Sequence, residues 1–148
     1  MLSGEASEGV GALRARAVEL LAQLGRADAA DAADGPSSAE MASCIQRGLQ
    51  LPEVLLLRPF LRPEFRVYAG EVTEHRMTLT AGIADAVAIS ESGLVEAVID
   101  WKSDVDPKPE QIEAYREQVR DYLAATGAPF GLIVFLTSNR VERVERLS

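Results

Sequence analysis

Two apolar runs, Leu94 to Ile99 and Phe130 to Leu136, constrain this chain more than any other feature. A strand that faces water on one side alternates apolar and polar residues, whereas a strand covered on both faces reads as a nearly unbroken apolar run. The segment between the two runs has helical periodicity. It is opened by Pro107 and Pro109, carries Ile112, Tyr115, Val119 and Tyr122 on one stripe with Gln118 beside it, and stops at Gly127-Ala128-Pro129. Buried strand, helix and buried strand predict an α/β architecture with a right-handed crossover and helices covering the sheet.

The remaining punctuation fills in the other elements. Leu13, Ala17, Leu20, Leu21 and Leu24 recur at helical spacing ahead of Gly25, and an Ala/Asp-rich linker follows from Arg26 to Gly35. Ser37-Ser38-Ala39-Glu40 has the form of a capping box, opening a helix with Met41, Cys44, Ile45 and Leu49 as its expected buried stripe. A short helix from Leu51 to Leu57 begins at Pro52 and closes before Pro59. Strands are expected at about Phe65 to Val72, at Arg76 to Ile89 with an interruption at Gly82, and at Leu94 to Lys102 after a turn at Glu91-Ser92-Gly93. The tail around Val141 and Val144 alternates too poorly to assign.

The chain of 148 residues has the size of one compact domain, and its 47% hydrophobic content suits a globular core. Aromatics make up 5%, so that core must be mostly aliphatic. No apolar run approaches the roughly 20 residues of a membrane span, and the acidic start lacks the basic residues of a signal peptide. The single cysteine, Cys44, has no partner for an intramolecular disulfide and reads as a small core residue in a reducing, cytoplasmic compartment.

Chemistry concentrates where the first apolar run ends. Asp100 and Lys102 are two apart, so on a strand they share a face while Trp101 points away. A carboxylate and an amine closing a buried strand sit at a core edge, where ionisable groups more often have a task than on a solvated surface. Across the hairpin, Gly82-Ile83-Ala84-Asp85 brings a second carboxylate to the neighbouring strand. Two hard oxygen donors beside an ammonium suit Mg²⁺-assisted phosphodiester hydrolysis. The chain has no Gly-rich phosphate loop, no Cys/His zinc spacing and no Ser/His/Asp set.

Three ordered segments, Gly82-Ile83-Ala84-Asp85, Asp100-Trp101-Lys102-Ser103-Asp104 and Tyr115-Arg116-Glu117-Gln118-Val119-Arg120-Asp121-Tyr122, resemble the PD-(D/E)XK nucleases. More narrowly, they resemble the RecB/AddA-type nuclease domain of bacterial helicase-nucleases. The likeness spans about Ser37 to Phe135. It implies a restriction-endonuclease-like αβββαβ core, with a mixed sheet flanked by helices, over residues 37–148, preceded by a helix and linker over 1–36. It further implies that Asp85, Asp100 and the Trp101 main-chain carbonyl bind Mg²⁺, with Mn²⁺ as a substitute. Lys102 is then the catalytic lysine, and Gln118 and Tyr122 line the DNA side. An upstream acidic ligand is expected at Glu71, with Glu64 as second choice. Partners implied are DNA and a helicase domain or subunit, in DNA repair or recombination and with no membrane. One departure stands out: the early-helix metal-binding His of many such domains is missing, and the only His is His75, in a turn-like segment among charged residues.

The net charge of −8 opposes tight DNA binding by the domain alone, because phosphate affinity depends on Lys and Arg. The basic residues are grouped at Arg58, Arg62 and Arg66, at Lys102 and Lys108, and at Arg140, Arg143 and Arg146. A domain handed its DNA by a motor does not need to bind it tightly. The same resemblance admits a second expectation, a nuclease-like domain that no longer cleaves and guides DNA or supports assembly.

Overall fold

The computed structural model describes residues 9–29, 35–73 and 76–146, and the side chains of residues 69 and 71–80 are not described. Its elements run α1 (Val10–Gln23), α2 (Ser38–Leu49), α3 (Pro52–Leu57), β1 (Leu61–Thr73), β2 (Arg76–Ile89), β3 (Val95–Lys102), α4 (Pro109–Thr126), β4 (Phe130–Phe135) and β5 (Arg140–Glu145). The five strands form one sheet in the order β1-β2-β3-β4-β5. β3 and β4 pair in parallel and every other pair is antiparallel. The architecture is therefore α/β with a mixed sheet. The parallel step is the one that needs a crossover, and α4 supplies it.

The two sheet faces have separate cores. On one, Val98, Ile133 and Phe135 pack with Val119 and Leu123 of α4 and with Val67 and Ala84. On the other, Ile99, Leu132, Val134 and Ala86 pack with Val54 of α3, with Trp101 half-buried beside them. Close approach on the α4 face depends on a residue without a side chain: a Cβ at Gly131 would lie 2.3 Å from Val119 Cγ1. α4 begins with Pro109 in its first turn and ends at Gly127, whose φ of 76° is open to glycine at little cost.

The capping box forms as expected, with Glu40 N–H donating to Ser37 Oγ and Ser37 N–H to Glu40 Oε2. The buried face of α2 is turned from the expected stripe. Ser38, Ala42, Ile45 and Gly48 are buried, whereas Met41, Cys44 and Leu49 are half-buried. The reason is steric. Ala42 and Ile45 pack under Leu13 of α1, and a Cβ on Gly48 would meet Leu136 Cδ2 at 2.5 Å, so small residues form the contact face. Cys44 consequently lines a groove with Met41, Val105 and Leu136 and is not a core residue. Leu24, expected on the buried stripe of α1, is exposed beyond the helix end.

Three strand boundaries also differ. β1 starts at Leu61, β2 runs through Gly82 without interruption, and the unassigned tail forms β5. β5 is held by arginine stems: Arg143 Cζ lies 3.6 Å from the Phe130 ring centroid and Arg140 Cζ 4.3 Å from that of Phe135. The C-terminal arginines are thus engaged in packing. No described helix is long and apolar enough to cross a membrane.

Candidate active site

The site lies where the sheet forks. β2 and β3 pair from Ile89/Val95 to Ala86/Ile99, beyond which β2 continues only with β1 while β3 continues with β4 to Lys102/Phe135. Asp85 and Asp100 are the first residues past the last β2–β3 pair. The Trp101 N–H, which no longer meets a β2 carbonyl, donates to Asp85 Oδ2 at 2.9 Å. A side-chain carboxylate thereby completes the ladder at the fork.

Alternation along β3 settles the orientations. Asp100 follows Val98 onto the α4 face and is 2% exposed, one of two buried polar residues among those described. Lys102 Nζ stands 2.8 Å from Asp100 Oδ2. That contact pairs two largely buried charges. Burial pushes the Asp100 carboxyl above the usual carboxylate range, and the neighbouring Asp85 adds to the rise while Lys102 opposes it. Asp85 itself is exposed. Asp100 is the desolvated member of the pair and Asp85 the solvated one.

α4 closes the site. Lys102 Nζ donates to Gln118 Oε1 at 3.3 Å, Gln118 Nε2 to the Tyr122 hydroxyl at 3.3 Å, and Tyr122 OH to the Ile83 carbonyl at 3.0 Å. A single chain of hydrogen bonds thus links the lysine on β3 to the backbone of the Gly82–Asp85 segment on β2. Gly82 has its explanation here: a Cβ would lie 3.0 Å from Tyr122 Cε1, so glycine lets the ring approach the strand. Of the expected site residues, Asp85, Asp100, Lys102, Gln118 and Tyr122 come together. The Trp101 backbone lies among them, while its indole belongs to the opposite face with Nε1 buried and unbonded.

The two acids expected upstream, Glu71 and as second choice Glu64, fall at different registers. β1 pairs Glu71 with Thr78, out along the β1–β2 hairpin. Glu64 lies opposite Asp85, between the pairs Pro63/Ala86 and Phe65/Ala84, and has a φ of 50° that is uncommon for a residue with a side chain. Seven residues separate the two glutamates, about 23 Å along a strand. By register, Glu64 is the glutamate whose backbone lies beside the fork. The side chain of Glu71, like the whole of His75, lies outside the described residues. Among the described residues no three acidic, His or Cys side chains converge on one point.

Two contacts were not foreseen. Tyr115 OH donates to Asp104 Oδ2 at 3.0 Å, and the Lys102 ammonium sits 4.3 Å from the Tyr115 ring centroid. The carboxylate raises the Tyr115 phenol above its ordinary value. Tyr115 had the helical spacing of a core residue, and its ring does pack against the α4-face core. The signals of more are its place at the head of the Tyr115–Tyr122 segment and Asp104, which ends the Asp-Trp-Lys-Ser-Asp segment.

No family model and no curated protein matches the chain. Among solved structures, one described as SSO0001 is similar in fold, at 21% identity and a TM-score of 0.50 over 91% of this chain. The match takes in 63% of that protein's length, so this chain spans less than two thirds of it. At that identity the likeness extends to the α/β fold alone.

Proposed function

We propose that this chain is a metal-dependent DNA nuclease module, exonucleolytic and working with a helicase in the cytoplasm. The observation that carries the reading is the convergence of Asp85, Asp100, Lys102, Gln118 and Tyr122 at one sheet fork, although they come from three elements. The donor set fits a hard divalent cation. Asp100 and Asp85 put two carboxylates side by side at the fork, one buried and one exposed, with a single ammonium 2.8 Å from the buried one, and such hard oxygen donors suit a divalent cation. Asp85 and Asp100, with the Trp101 carbonyl, would hold Mg²⁺ or Mn²⁺. A cation there supplies Lewis acidity and a more acidic water.

The rest of the work falls to the chain. Lys102 offers N–H donors to a phosphate oxygen or an attacking water, and its backbone is fixed by the β3–β4 pairing. Gln118 holds the ammonium and Tyr122 holds Gln118. The lack of a third convergent acid among the described residues favours a second reading, a non-cleaving module that guides DNA or supports assembly.

The deciding experiment is calorimetric titration with Mg²⁺ and Mn²⁺, together with nucleotide release from linear single- and double-stranded DNA. It is run on the parent, Asp100→Ala and Lys102→Ala. The expected pattern is loss of both binding and cleavage in Asp100→Ala, and loss of cleavage with near-parent metal binding in Lys102→Ala. A parent that binds neither ion and cuts neither substrate, even with a helicase supplied, leaves the non-cleaving module.

A further inference from the structure

Lys102 is held by three groups, and one of them has no place in the reading above. An ammonium carries three N–H donors and no acceptor. Here it meets the Asp100 carboxylate at 2.8 Å, the Gln118 amide oxygen at 3.3 Å and the face of the Tyr115 ring at 4.3 Å. Only two of the chain's 15 basic residues are lysines, Lys102 and Lys108. An ammonium is a compact point charge with rotatable donors, and here it lies among one carboxylate, one amide and one ring.

The ring is itself fixed at both ends. Its hydroxyl donates to Asp104 Oδ2, and the Asp104 carbonyl accepts from Thr137 Oγ1 just beyond β4. The ring also packs against Phe135, with centroids 6.5 Å apart and planes at 51°. The Lys102 carbonyl accepts from the Leu136 N–H at 2.9 Å, so lysine backbone and ring support hang from the same stretch of chain.

Asp100 serves two masters in the proposed site. Any cation that takes its oxygens competes with the ammonium 2.8 Å away and repels it. With Asp100 taken, the ammonium keeps the Gln118 amide oxygen at 3.3 Å and the Tyr115 ring face, and the ring is the only one of the two that attracts it as a cation without needing an aligned N–H. We infer that Tyr115 is the positioning residue for Lys102, its ring face keeping the ammonium beside the carboxylates whenever Asp100 no longer pairs with it. The inference rests on the nuclease reading only for its purpose; the contact itself does not depend on metal.

The test uses the full chain labelled with ¹³C at lysine Cε, which gives two signals. Ring current from Tyr115 should move the Lys102 ε-protons upfield of those of Lys108. The upfield signal should persist in Asp100→Asn, where the counter-ion is removed without metal, and in parent protein saturated with Mg²⁺. Tyr115→Phe should keep it, whereas Tyr115→Leu and Tyr115→Met should bring it to the Lys108 position. In DNA cleavage, Tyr115→Leu should lower kcat roughly tenfold at unchanged KM, the size of a partly desolvated cation–π contact, with recovery in Tyr115→Phe. Collapse of the upfield shift in Asp100→Asn, or its retention in both Tyr115→Leu and Tyr115→Met, would overturn the inference. A parent that binds no Mg²⁺ counts against the nuclease reading instead, and the Asp100→Asn spectrum still decides the role of Tyr115.

Discussion

The two faces of the sheet are built on different principles. On the α3 face, a helix of six residues covers Ile99, Leu132 and Val134, and its outer residues Leu55 and Leu56 remain exposed. That face contributes burial with little demand for position. On the α4 face, an 18-residue helix is drawn onto the strands at Gly131 and its Tyr122 onto Gly82, and the side-chain contacts of Lys102 with Asp100 and Gln118 form there. Close packing leaves few alternative arrangements. Residues two apart on β3 inherit the difference: Asp100 and Lys102 take the fixed face, while Trp101 takes the forgiving one.

The sharpest way to break the comparison is to damage the forgiving face alone. Leu132 is 1% exposed in the α3-side cluster, so Leu132→Ala should lower unfolding stability by about 2–5 kcal/mol. Urea titration measures the loss. Because no site side chain lies on that face, the Lys102 ε-proton shift should stay where it is in the folded fraction. A moved signal would show that the faces are mechanically coupled through β4.

What was legible in the sequence follows the same division. β3, β4 and α4 announced themselves because both faces of the strands and the stripe of the helix are apolar, and burial is what periodicity records. β5 was hidden, since its residues alternate Arg, Val and Glu and its contacts are made by arginine over Phe130 and Phe135. Gly82 was read as an interruption because a glycine in a strand has two meanings, and only the approach of Tyr122 tells them apart. The five side chains that meet at the fork were legible by motif. Where β2 and β3 part is not written in a linear sequence, so the register of Glu64 and Glu71 relative to the fork is visible only in the structure. Tyr115 went unassigned for a related reason: a ring that lies in a core and also faces an ammonium has the spacing of the first role only.

Burial of Asp100 yields a second, intermediate effect. Its folded-state carboxyl is raised above the ordinary value, so the folded protein binds this proton more readily than the unfolded chain. Stability from this group is therefore greatest at low pH and falls as pH rises from the ordinary aspartate range through the raised value. Asp100→Asn should remove that slope, leaving the variant closer to, or above, the parent at neutral pH than at pH 4. Saturating Mg²⁺ should raise the parent's thermal midpoint and leave the variant's unchanged. Parallel pH profiles for parent and variant would mean that Lys102 already offsets the burial.

The smallest expected change in stability probes the precise face where it is most delicate. A methyl group at residue 82 would sit 3.0 Å from Tyr122 Cε1, close enough to push the ring outward by a few tenths of an ångström. Replacing a strand glycine by alanine also recovers about 0.5–1 kcal/mol of conformational entropy. The two effects oppose, so Gly82→Ala should change unfolding stability by no more than about 1 kcal/mol. The site should respond more than the fold. Tyr122 would lose its 3.0 Å bond to the Ile83 carbonyl, Gln118 would lose a fixed acceptor, and the ammonium would keep only Asp100 and the Tyr115 ring. Amide spectra should show shifts spreading from Ile83 to Gln118 and Lys102 at an unchanged urea midpoint. Shifts confined to the neighbours of residue 82 would mean that the hydrogen-bond chain across α4 does not transmit position, and that the fixed face owes its order to packing alone.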